Sequence, residues 1–312
     1  MSDIQLFRLH ANGAVTELAS QAAALEKTLQ TLVEGQMETF LGVRFLASEY
    51  ATGKTHRGRI DSLGIDENGC PVIVESKRHS NENVINQGLF YLDWLLDHKA
   101  EFRWLVMEKF GKDSAQNIEW AGTRLLCIAS DFTRYDQHAV QQIPRNIELL
   151  RYKLFGEDLL LLELVNAQSV TDASAAKQVS TTTLVPEPEQ HKPVGKDKSL
   201  AEQLALATPE IRVLYEQTTS LLLSLGDDVQ QKELKLYTAF RRLKNFACVI
   251  VYQNRLLVTL KLDPNTMTFE QGFSRDVSQV GHWGTGDVEL CLMSPLDLQR
   301  AQVLLQRSYS EN

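Results

Sequence analysis

Two carboxylates and a lysine lie within one short stretch of the sequence and could bind a divalent metal ion. The stretch runs from Arg57 to Arg78 and contains Asp61, Glu75 and Lys77. Carboxylate oxygens are hard ligands of the kind that Mg²⁺ prefers, with water and phosphate oxygens completing its coordination shell. Such an ion can activate water and neutralise the charge that develops on a phosphodiester, and a lysine could stabilise the same charge. The three residues therefore predict hydrolysis of a phosphate ester.

These side chains converge only if the stretch folds as a β-hairpin of one particular register. Residues 66–69 read Asp-Glu-Asn-Gly, with Asp at the first position of a type I turn and Gly at the fourth. This pattern predicts a three-residue loop with a glycine bulge that closes at Cys70. Asp61 then lies opposite Glu75, and the period of two places Lys77 on the face of Glu75. A two-residue Asn-Gly loop would shift the register by one residue and turn the aspartate away.

A solvated surface hairpin is the competing interpretation of the same residues. Glu-x-Lys triplets are common and exposed ion pairs contribute little, so the triplet alone would favour this interpretation. The setting of the triplet favours a functional role instead. Residues 72–74, Val-Ile-Val, are apolar enough for a central strand, where charges are costly unless they are used or paired.

Three spaced motifs resemble those of the PD-(D/E)XK nuclease superfamily, in particular its NucS-like endonuclease branch. They are Gly58-Arg-Ile-Asp61, Val72-Ile-Val-Glu75-Ser-Lys77 and Gln87-x-x-x-Tyr91, and the resemblance covers roughly residues 20–165. It implies a restriction-endonuclease-like fold and cleavage of DNA. The sequence departs from the family pattern at Ile60, which stands where a proline usually precedes the aspartate.

The resemblance also implies which residues form the site. The implied catalytic residues are Asp61, Glu75, Lys77, Gln87, Tyr91 and Glu26. Of these, Asp61, Glu75 and Glu26 are the implied ligands of Mg²⁺ or Mn²⁺, and Gln87 and Tyr91 belong to an accessory helix motif. Glu26 flanks an apolar stripe, so a solvated glutamate on a helix face is an equally supported alternative. Gln87 and Tyr91 could instead lie on a helix that is buried on both sides.

Composition predicts a soluble globular protein of two domains. The chain has 312 residues, of which 43% are hydrophobic and 23% charged. No apolar run reaches the length of a membrane span, and the start Met-Ser-Asp-Ile lacks the features of a signal peptide. We therefore expect a cytoplasmic protein without a membrane partner. The four cysteines have no paired spacing and are predicted to be buried free thiols.

Charge is distributed unevenly with respect to the proposed site. The net charge of −8 argues against binding nucleic acid by overall electrostatics. Basic residues nevertheless gather around the hairpin and are predicted to contact nucleic acid: Lys54, Arg57, Arg59 and Arg78. DNA is the favoured partner over RNA. The resemblance also suggests a homodimer. The sequence itself contains no coiled-coil seam that would support one.

Periodicity predicts the elements of a first domain at residues 1–165. Helices are expected at 14–37, from a cap at Ser80 or Asn81 to 97, and at 131–142, and strands at 43–51, 102–107, 124–130 and twice within 147–163. With the hairpin, this order predicts an α/β fold, a restriction-endonuclease-like α/β sandwich around a mixed sheet.

The rest of the chain divides into a linker and a smaller domain. Residues 166–198 are rich in Ser, Thr, Ala and Pro without apolar periodicity and are predicted to be a flexible linker. Residues 199–312 predict an α+β domain, similar to a C-terminal domain of unknown function that accompanies some of these nucleases. It could bind nucleic acid or a protein partner. Seven of its residues could bind single strands by charge and stacking, namely Arg241, Arg242, Lys244, Lys261, Tyr237, Phe240 and Phe246. Aromatics in the core with the charges on a solvated face are the preferred interpretation.

The sequence thus supports three classes of function. The leading prediction is a metal-dependent endonuclease that hydrolyses DNA phosphodiester bonds. The alternative is a catalytically quiet nucleic-acid-binding or sensing protein on a nuclease scaffold, because fold alone does not establish activity. A third is a protein-interaction module in which the second domain recruits a partner.

Overall fold

The computed structural model describes residues 4–23, 25–53, 57–78, 83–168 and 198–312, with the side chains of 167 and 168 excepted. The chain separates into two compact units, Met1–Val170 and Thr171–Asn312. Most of the predicted linker and both predicted helix caps, Ser80 and Asn81, lie outside the described residues. Across the described part of the chain, no helix has the length and apolar character needed to cross a bilayer.

The first unit combines strands and helices in alternation. Its strands are β1 (Leu6–Leu9), β2 (Val15–Leu18), β3 (Ser20–Gln21), β4 (Val43–Ala51), β5 (Arg59–Asp66), β6 (Pro71–Ser76), β7 (Arg124–Ala129), β8 (Asn146–Phe155) and β9 (Leu159–Gln168). Its helices are α1 (Glu26–Gly35), α2 (Met37–Leu41), α3 (Val84–Asp97), α4 (Lys99–Phe110), α5 (Lys112–Gln116) and α6 (Arg134–Gln142). A short 3₁₀ turn at Trp120–Gly122 precedes β7.

One mixed sheet forms the centre of this unit. Its strand order is β3-β8-β7-β6-β5-β4, and β9 also pairs with β8. The pairs β6–β7 and β7–β8 are parallel, whereas β4–β5, β5–β6 and β8–β9 are antiparallel. Parallel neighbours need a long crossover, which α3, α4 and α5 provide before β7 and α6 provides before β8. The predicted mixed α/β fold is confirmed.

Helices cover both faces of the mixed sheet, and a glycine allows close packing on each face. A Cβ added to Gly64 of β5 would lie 2.4 Å from Cγ1 of Val43 in the neighbouring strand β4, and 3.4 Å from the sulfur of Met37 in α2. On the other face, a Cβ added to Gly88 of α3 would lie 2.5 Å from a methyl carbon of Leu125 in β7. The α3 side contains a buried apolar cluster that includes Ile73 of the central strand β6. This packing fixes the strands that carry the predicted site.

A buried ionic network links β5, β7 and β8. The guanidinium of Arg124 donates hydrogen bonds to Asp66 at 3.0 Å and to Glu148 at 2.9 Å. All three side chains are buried. Buried charges of this kind are tolerated because opposite charges and hydrogen bonds compensate for the lost water.

The predicted first helix at 14–37 is wrong over its first half. Val15 and Leu18 instead lie in β2, which pairs antiparallel with β1 in the register Leu9–Val15. Gly13 has φ +83°, which closes the turn between the two strands. The spacing of three between Val15 and Leu18 fits a helix but does not reflect a buried face, since Val15 is exposed. The helix begins at Glu26.

The strand predicted at 102–107 is also wrong, because this segment belongs to α4. Phe102 and Val106 are four residues apart and fully buried, whereas Trp104 between them is 56% exposed. Spacing of four is the period of a helix face. Phe102 and Val106 therefore pack on one buried helix face, and Trp104 lies on the solvent side of the same helix.

The second unit is an antiparallel sheet with helices on it. Its strands are β10 (Gln230–Glu233), β11 (Thr238–Arg241), β12 (Asn245–Val251), β13 (Leu256–Leu260), β14 (Ser274–Asp276) and β15 (Val288–Leu292), in the order β10-β11-β12-β13-β15-β14. Its helices are α7 (Leu200–Leu206), α8 (Pro209–Leu223) and α9 (Pro295–Glu311). Phe240 and Phe246 are fully buried and Tyr237 is nearly so, which confirms that these aromatics are core. Among the cysteines, Cys70, Cys127 and Cys248 are buried and Cys291 is partly buried, and all are free thiols.

Candidate metal centre

The β5–β6 hairpin has the register that the sequence predicts. The amide of Asp66 donates to the carbonyl of Cys70 at 2.9 Å, and the amide of Gly69 donates back to Asp66 at 3.0 Å. Gly69 has φ +76°, the left-handed conformation expected at this position of the loop. The ladder then pairs Ser62 with Val74. The predicted odd-length loop is confirmed.

Beyond that pair, side chains replace the backbone ladder. The amide of Asp61 donates to Glu75 Oε1 at 3.1 Å, and the amide of Ser76 donates to Asp61 Oδ2 at 2.9 Å. Each strand therefore holds the carboxylate of the other strand. This exchange places the two acidic side chains next to each other at the end of the hairpin.

Glu75 is a buried carboxylate in an unfavourable electrostatic position. It is 0% exposed, and its Oε2 atom has no hydrogen-bond partner among the described residues. Burial and then the charge of Asp61 raise the pKa of Glu75 to about 9, although the amide of Asp61 and the charge of Lys77 oppose this shift. Burial also raises the pKa of Asp61, against the hydrogen bond from Ser76. A cation bound beside these two acids would favour their ionised forms and lower both pKa values.

Lys77 brings an ammonium group into the same cluster. Its Nζ donates to Glu26 Oε1 at 2.7 Å, and its side chain is 12% exposed. Burial alone would lower the pKa of Lys77, but the hydrogen bond to Glu26 and the charge of Asp61 outweigh it, so the pKa lies above its ordinary value. In the metal-free site Lys77 is therefore a cation at neutral pH. The structure brings Asp61, Glu75, Lys77 and Glu26 together.

The two carboxylates fit a divalent ion that takes its remaining ligands from water and substrate. Among the described residues, no group of three or more His, Cys, Asp or Glu side chains is arranged to hold a metal ion. Mg²⁺ is commonly bound through one or two carboxylates plus waters and phosphate oxygens, so Asp61 and Glu75 meet its needs. The unpartnered Oε2 of Glu75 is the atom that such an ion would satisfy. Glu26 is bound to Lys77, and its role as a metal ligand stays a prediction.

Gln87 and Tyr91 reach the site through the backbone of β5. The Tyr91 hydroxyl accepts a hydrogen bond from the amide of Arg59 at 3.2 Å, and Gln87 Nε2 donates to the same hydroxyl at 3.4 Å. A Cβ added to Gly58 would lie only 2.6 Å from the Tyr91 ring. These contacts fix the start of the strand two residues before Asp61. A direct role of either side chain in catalysis stays a prediction.

Three of the four basic residues predicted to contact nucleic acid belong to the described part of the chain. Arg57, Arg59 and Arg78 are exposed, and Arg59 lies 3.5 Å from Glu49 in an exposed ion pair. Lys54 lies outside the described residues. Contacts of these residues with nucleic acid stay a prediction.

Gln30 in α1 is a positioning residue that the sequence interpretation missed. Its buried side-chain amide donates to the carbonyl of Asp61 at 2.8 Å and to Glu34 Oε1 at 2.9 Å. Glu34 Oε1 in turn accepts a hydrogen bond from Ser62 Oγ at 2.7 Å. Glu26, Gln30 and Glu34 recur every four residues, the spacing of one helix face. This polar repeat was the signal that could have identified Gln30.

Comparison with known sequences gives one family and one full-length relative. Residues 201–312 match the family model described as a domain of unknown function, DUF5655. An uncharacterized protein of Haemophilus influenzae is 28% identical over 304 residues, which span 96% of this chain and 97% of the relative. The similarity to this relative therefore extends across both units.

Two solved structures are similar to part of the chain. A repair endonuclease from Pyrococcus abyssi is 20% identical with a TM-score of 0.28, over 44% of this chain and 50% of that chain. A structure of an EndoMS-dsDNA2 complex is 18% identical with a TM-score of 0.25, over 47% of this chain and 64% of that chain. The chain thus covers half of the first structure and less than two thirds of the second. It is similar, over part of its length, to a repair endonuclease and to a DNA-bound EndoMS protein.

Proposed function

We propose that the first unit is a metal-dependent endonuclease that hydrolyses DNA phosphodiester bonds. One observation carries this proposal, namely that the buried Glu75 carboxylate lies beside the carboxylate of Asp61 and has one oxygen without a hydrogen-bond partner in the part of the chain that the structure describes. Ionising two adjacent buried acids is costly, and proteins keep such pairs where a bound cation offsets the charge or chemistry requires them. The motif resemblance supplies the reaction class, and the ammonium of Lys77 adds the cation that phosphate chemistry uses.

Each residue of the cluster has a separate role in the proposed reaction. Asp61 and Glu75 would hold Mg²⁺ or Mn²⁺, which when bound supplies an activated water and neutralises charge on the phosphate. Lys77 is protonated, so it would donate a hydrogen bond to a phosphate oxygen or orient the attacking water. Glu26 accepts one of the N–H groups of Lys77 and holds the ammonium in place. Gln30 fixes the backbone of Asp61 from the other side.

Cleavage assays with matched variants test the assignment. Linear single-stranded, duplex and branched DNA would be incubated with the protein and Mg²⁺ or Mn²⁺. We expect Asp61→Asn and Lys77→Ala to reduce the cleavage rate by roughly 100-fold or more, the usual effect of removing one group that stabilises the transition state. The controls Asp93→Asn and Lys112→Ala change exposed residues on helices and should cleave like the wild type. Equal cleavage by Asp61→Asn and wild type would disprove the site.

Metal binding provides a test that does not depend on activity. Titration of the protein with Mn²⁺, followed by calorimetry or electron paramagnetic resonance, should detect an ion that is lost in Asp61→Asn and Glu75→Gln but kept in Asp93→Asn. Binding should strengthen as pH rises, because ligand carboxylates must be deprotonated and the pKa of Glu75 is raised. If the protein binds DNA but cleaves none of these substrates with either metal ion, the result would support the catalytically quiet alternative instead.

A further inference from the structure

The sheet of the second unit has one face opposite α8 and α9, and α7 reaches this face only at one end, where Gln203 and Leu206 line a depression. The buried cluster beneath the helices contains Val249, Val258 and Leu290. Because side chains alternate along a strand, Ile250 and Leu257 point to the opposite face. On that face lie three neighbouring depressions of about 270, 500 and 380 Å³. The depression of about 500 Å³ shares lining residues with each of the other two, Leu257 and Arg275 with one and Ile250 and Tyr252 with the other. We call this continuous row of depressions the sheet groove.

Two exposed aromatic side chains line the sheet groove. Tyr252 is 41% exposed and Trp283 is 46% exposed, and both line two adjoining depressions of the groove. Large aromatic rings at a surface leave apolar faces in water, which favours a ligand that covers them. Planar rings such as nucleobases stack on aromatic side chains regardless of base sequence.

The loop that carries Trp283 is anchored to the sheet. The amide of Thr285 donates to Cys248 Sγ at 3.4 Å, and Asn245 Nδ2 donates to Thr285 Oγ1 at 3.0 Å. Gly284 has φ +83°, and a Cβ there would lie 2.7 Å from Cys248 Cβ, so the loop backbone lies directly on the strand. Trp283 is therefore presented from a fixed backbone, which lowers the entropic cost of ordering it on binding.

Charge along the sheet groove favours an anionic ligand. Three basic residues line the groove. Lys198 lies at one end and Arg255 at the other, and Arg275 lines two adjoining depressions. Arg275 is paired with Glu289 at 2.6 Å, and the guanidinium of Arg255 lies 5.2 Å above the Tyr252 ring. This local excess of cations contrasts with the net charge of −8 of the whole chain. A ligand that matches both features carries planar rings and negative charges.

We propose that the sheet groove binds single-stranded nucleic acid, with bases stacked on Trp283 and Tyr252 and phosphates beside Arg255 and Lys198. An acidic peptide would use the cations but would leave the aromatic faces uncovered, so a polynucleotide fits the groove better. In a duplex the bases are stacked on one another and cannot reach the rings. This binding belongs to the second unit and does not require the proposed cleavage at Asp61 and Glu75.

Binding of labelled oligonucleotides to the full-length protein tests this proposal. Fluorescence anisotropy would be measured in EDTA with oligo(dT) and oligo(rU) of about a dozen nucleotides, within the usual site size of such grooves. We expect Trp283→Ala to weaken single-strand binding by roughly 5- to 150-fold, the loss of one stacked base. Trp283→Phe should keep most of the affinity, because it keeps a ring. The controls Trp104→Ala and Arg212→Ala, both at exposed positions outside the sheet groove, should bind like the wild type.

Salt dependence separates phosphate contacts from stacking. For single strands the logarithm of affinity falls with the logarithm of salt concentration by about 0.7 per phosphate contacted. Arg255→Ala should therefore reduce the slope by about 0.7, whereas Trp283→Ala should leave the slope unchanged and lower affinity at every salt concentration. Comparison of the DNA and RNA strands reveals whether the sugar is read, and binding of either supports the proposal.

Three results would overturn it. The first is unchanged single-strand affinity in both Trp283→Ala and Tyr252→Ala, with each variant shown to be folded by circular dichroism. The second is equal binding of an abasic strand, which would exclude stacking. The third is binding of polyglutamate as tight as that of the oligonucleotides, which would assign the groove to acidic peptides. Loss of cleavage in Asp61→Asn with unchanged single-strand binding would support separate roles for the two units, with cleavage in the first and strand binding in the second.

Discussion

Replacing Glu75 by glutamine should stabilise the first unit at neutral pH when no divalent ion is present. The carboxylate is fully buried and its pKa is raised from 4.5 to about 9, so the folded protein resists its ionisation while the unfolded chain does not. Below pH 4.5 the residue is protonated in both states and carries no such penalty. Glutamine resembles the protonated acid, and its Oε1 can still accept the hydrogen bond from the Asp61 amide.

The magnitude follows from linkage between proton binding and folding. Each pH unit between the unfolded and folded pKa values costs about 1.4 kcal/mol, because the unfolded state releases a proton that the folded state keeps. Between pH 4.5 and pH 7.5, about three units, the wild type should therefore lose about 4 kcal/mol of stability that Glu75→Gln does not lose. Stability present at low pH is thus lost as the pH rises towards 9, the folded pKa.

Hydrogen exchange of the β6 amides in EDTA, corrected for intrinsic rates at each pH, measures this free energy in the first unit alone. The difference between Glu75→Gln and wild type should widen from pH 5 to pH 8. Added Mg²⁺ should narrow it by stabilising only the wild type, because a ligand that binds the native state shifts the equilibrium by mass action. Glu157→Gln changes an exposed glutamate and is the matched control. Parallel pH profiles for the wild type and Glu75→Gln would refute the reasoning.

Two further substitutions test the packing that supports the site. Gly58→Ala would place a Cβ 2.6 Å from the Tyr91 ring, and we expect a loss of about 1–3 kcal/mol that Tyr91→Ala relieves in a double-mutant cycle of thermal unfolding. Additive losses would contradict this contact. Arg124→Met would leave the buried carboxylates of Asp66 and Glu148 without the guanidinium charge and should cost about 3–5 kcal/mol by denaturant unfolding. A loss below about 1 kcal/mol would show that the network is not buried as described.

The candidate site was predictable because its geometry follows from a local loop. Residues 66–69 specify a loop length, and loop length fixes which residues of β5 and β6 face each other. The apolar run at 72–74 likewise indicated the buried central strand that carries Glu75. Both signals depend only on residues that are close in sequence. The predicted register therefore did not require knowledge of the rest of the fold.

Features that depend on distant contacts were not predictable in the same way. Val15 and Leu18 have helical spacing, but pairing with β1 decided their conformation. Glu26 is brought to Lys77 across 51 residues of chain, and only the resemblance suggested that it belongs to the site. The loop at Gly284 could be recognised as a turn from its glycines, whereas its attachment to Cys248 depends on tertiary packing.

The crossed hydrogen bonds at the end of the hairpin affect how inactive variants should be interpreted. Asp61 and Glu75 each cap a backbone amide of the opposite strand, so they fasten the tips of β5 and β6 as well as facing the proposed ion. Truncation of either acid to alanine would let both tips fray and would move the other acid. Asp61→Asn and Glu75→Gln keep an acceptor oxygen for those bonds. These two variants can therefore separate loss of catalysis from distortion of the hairpin.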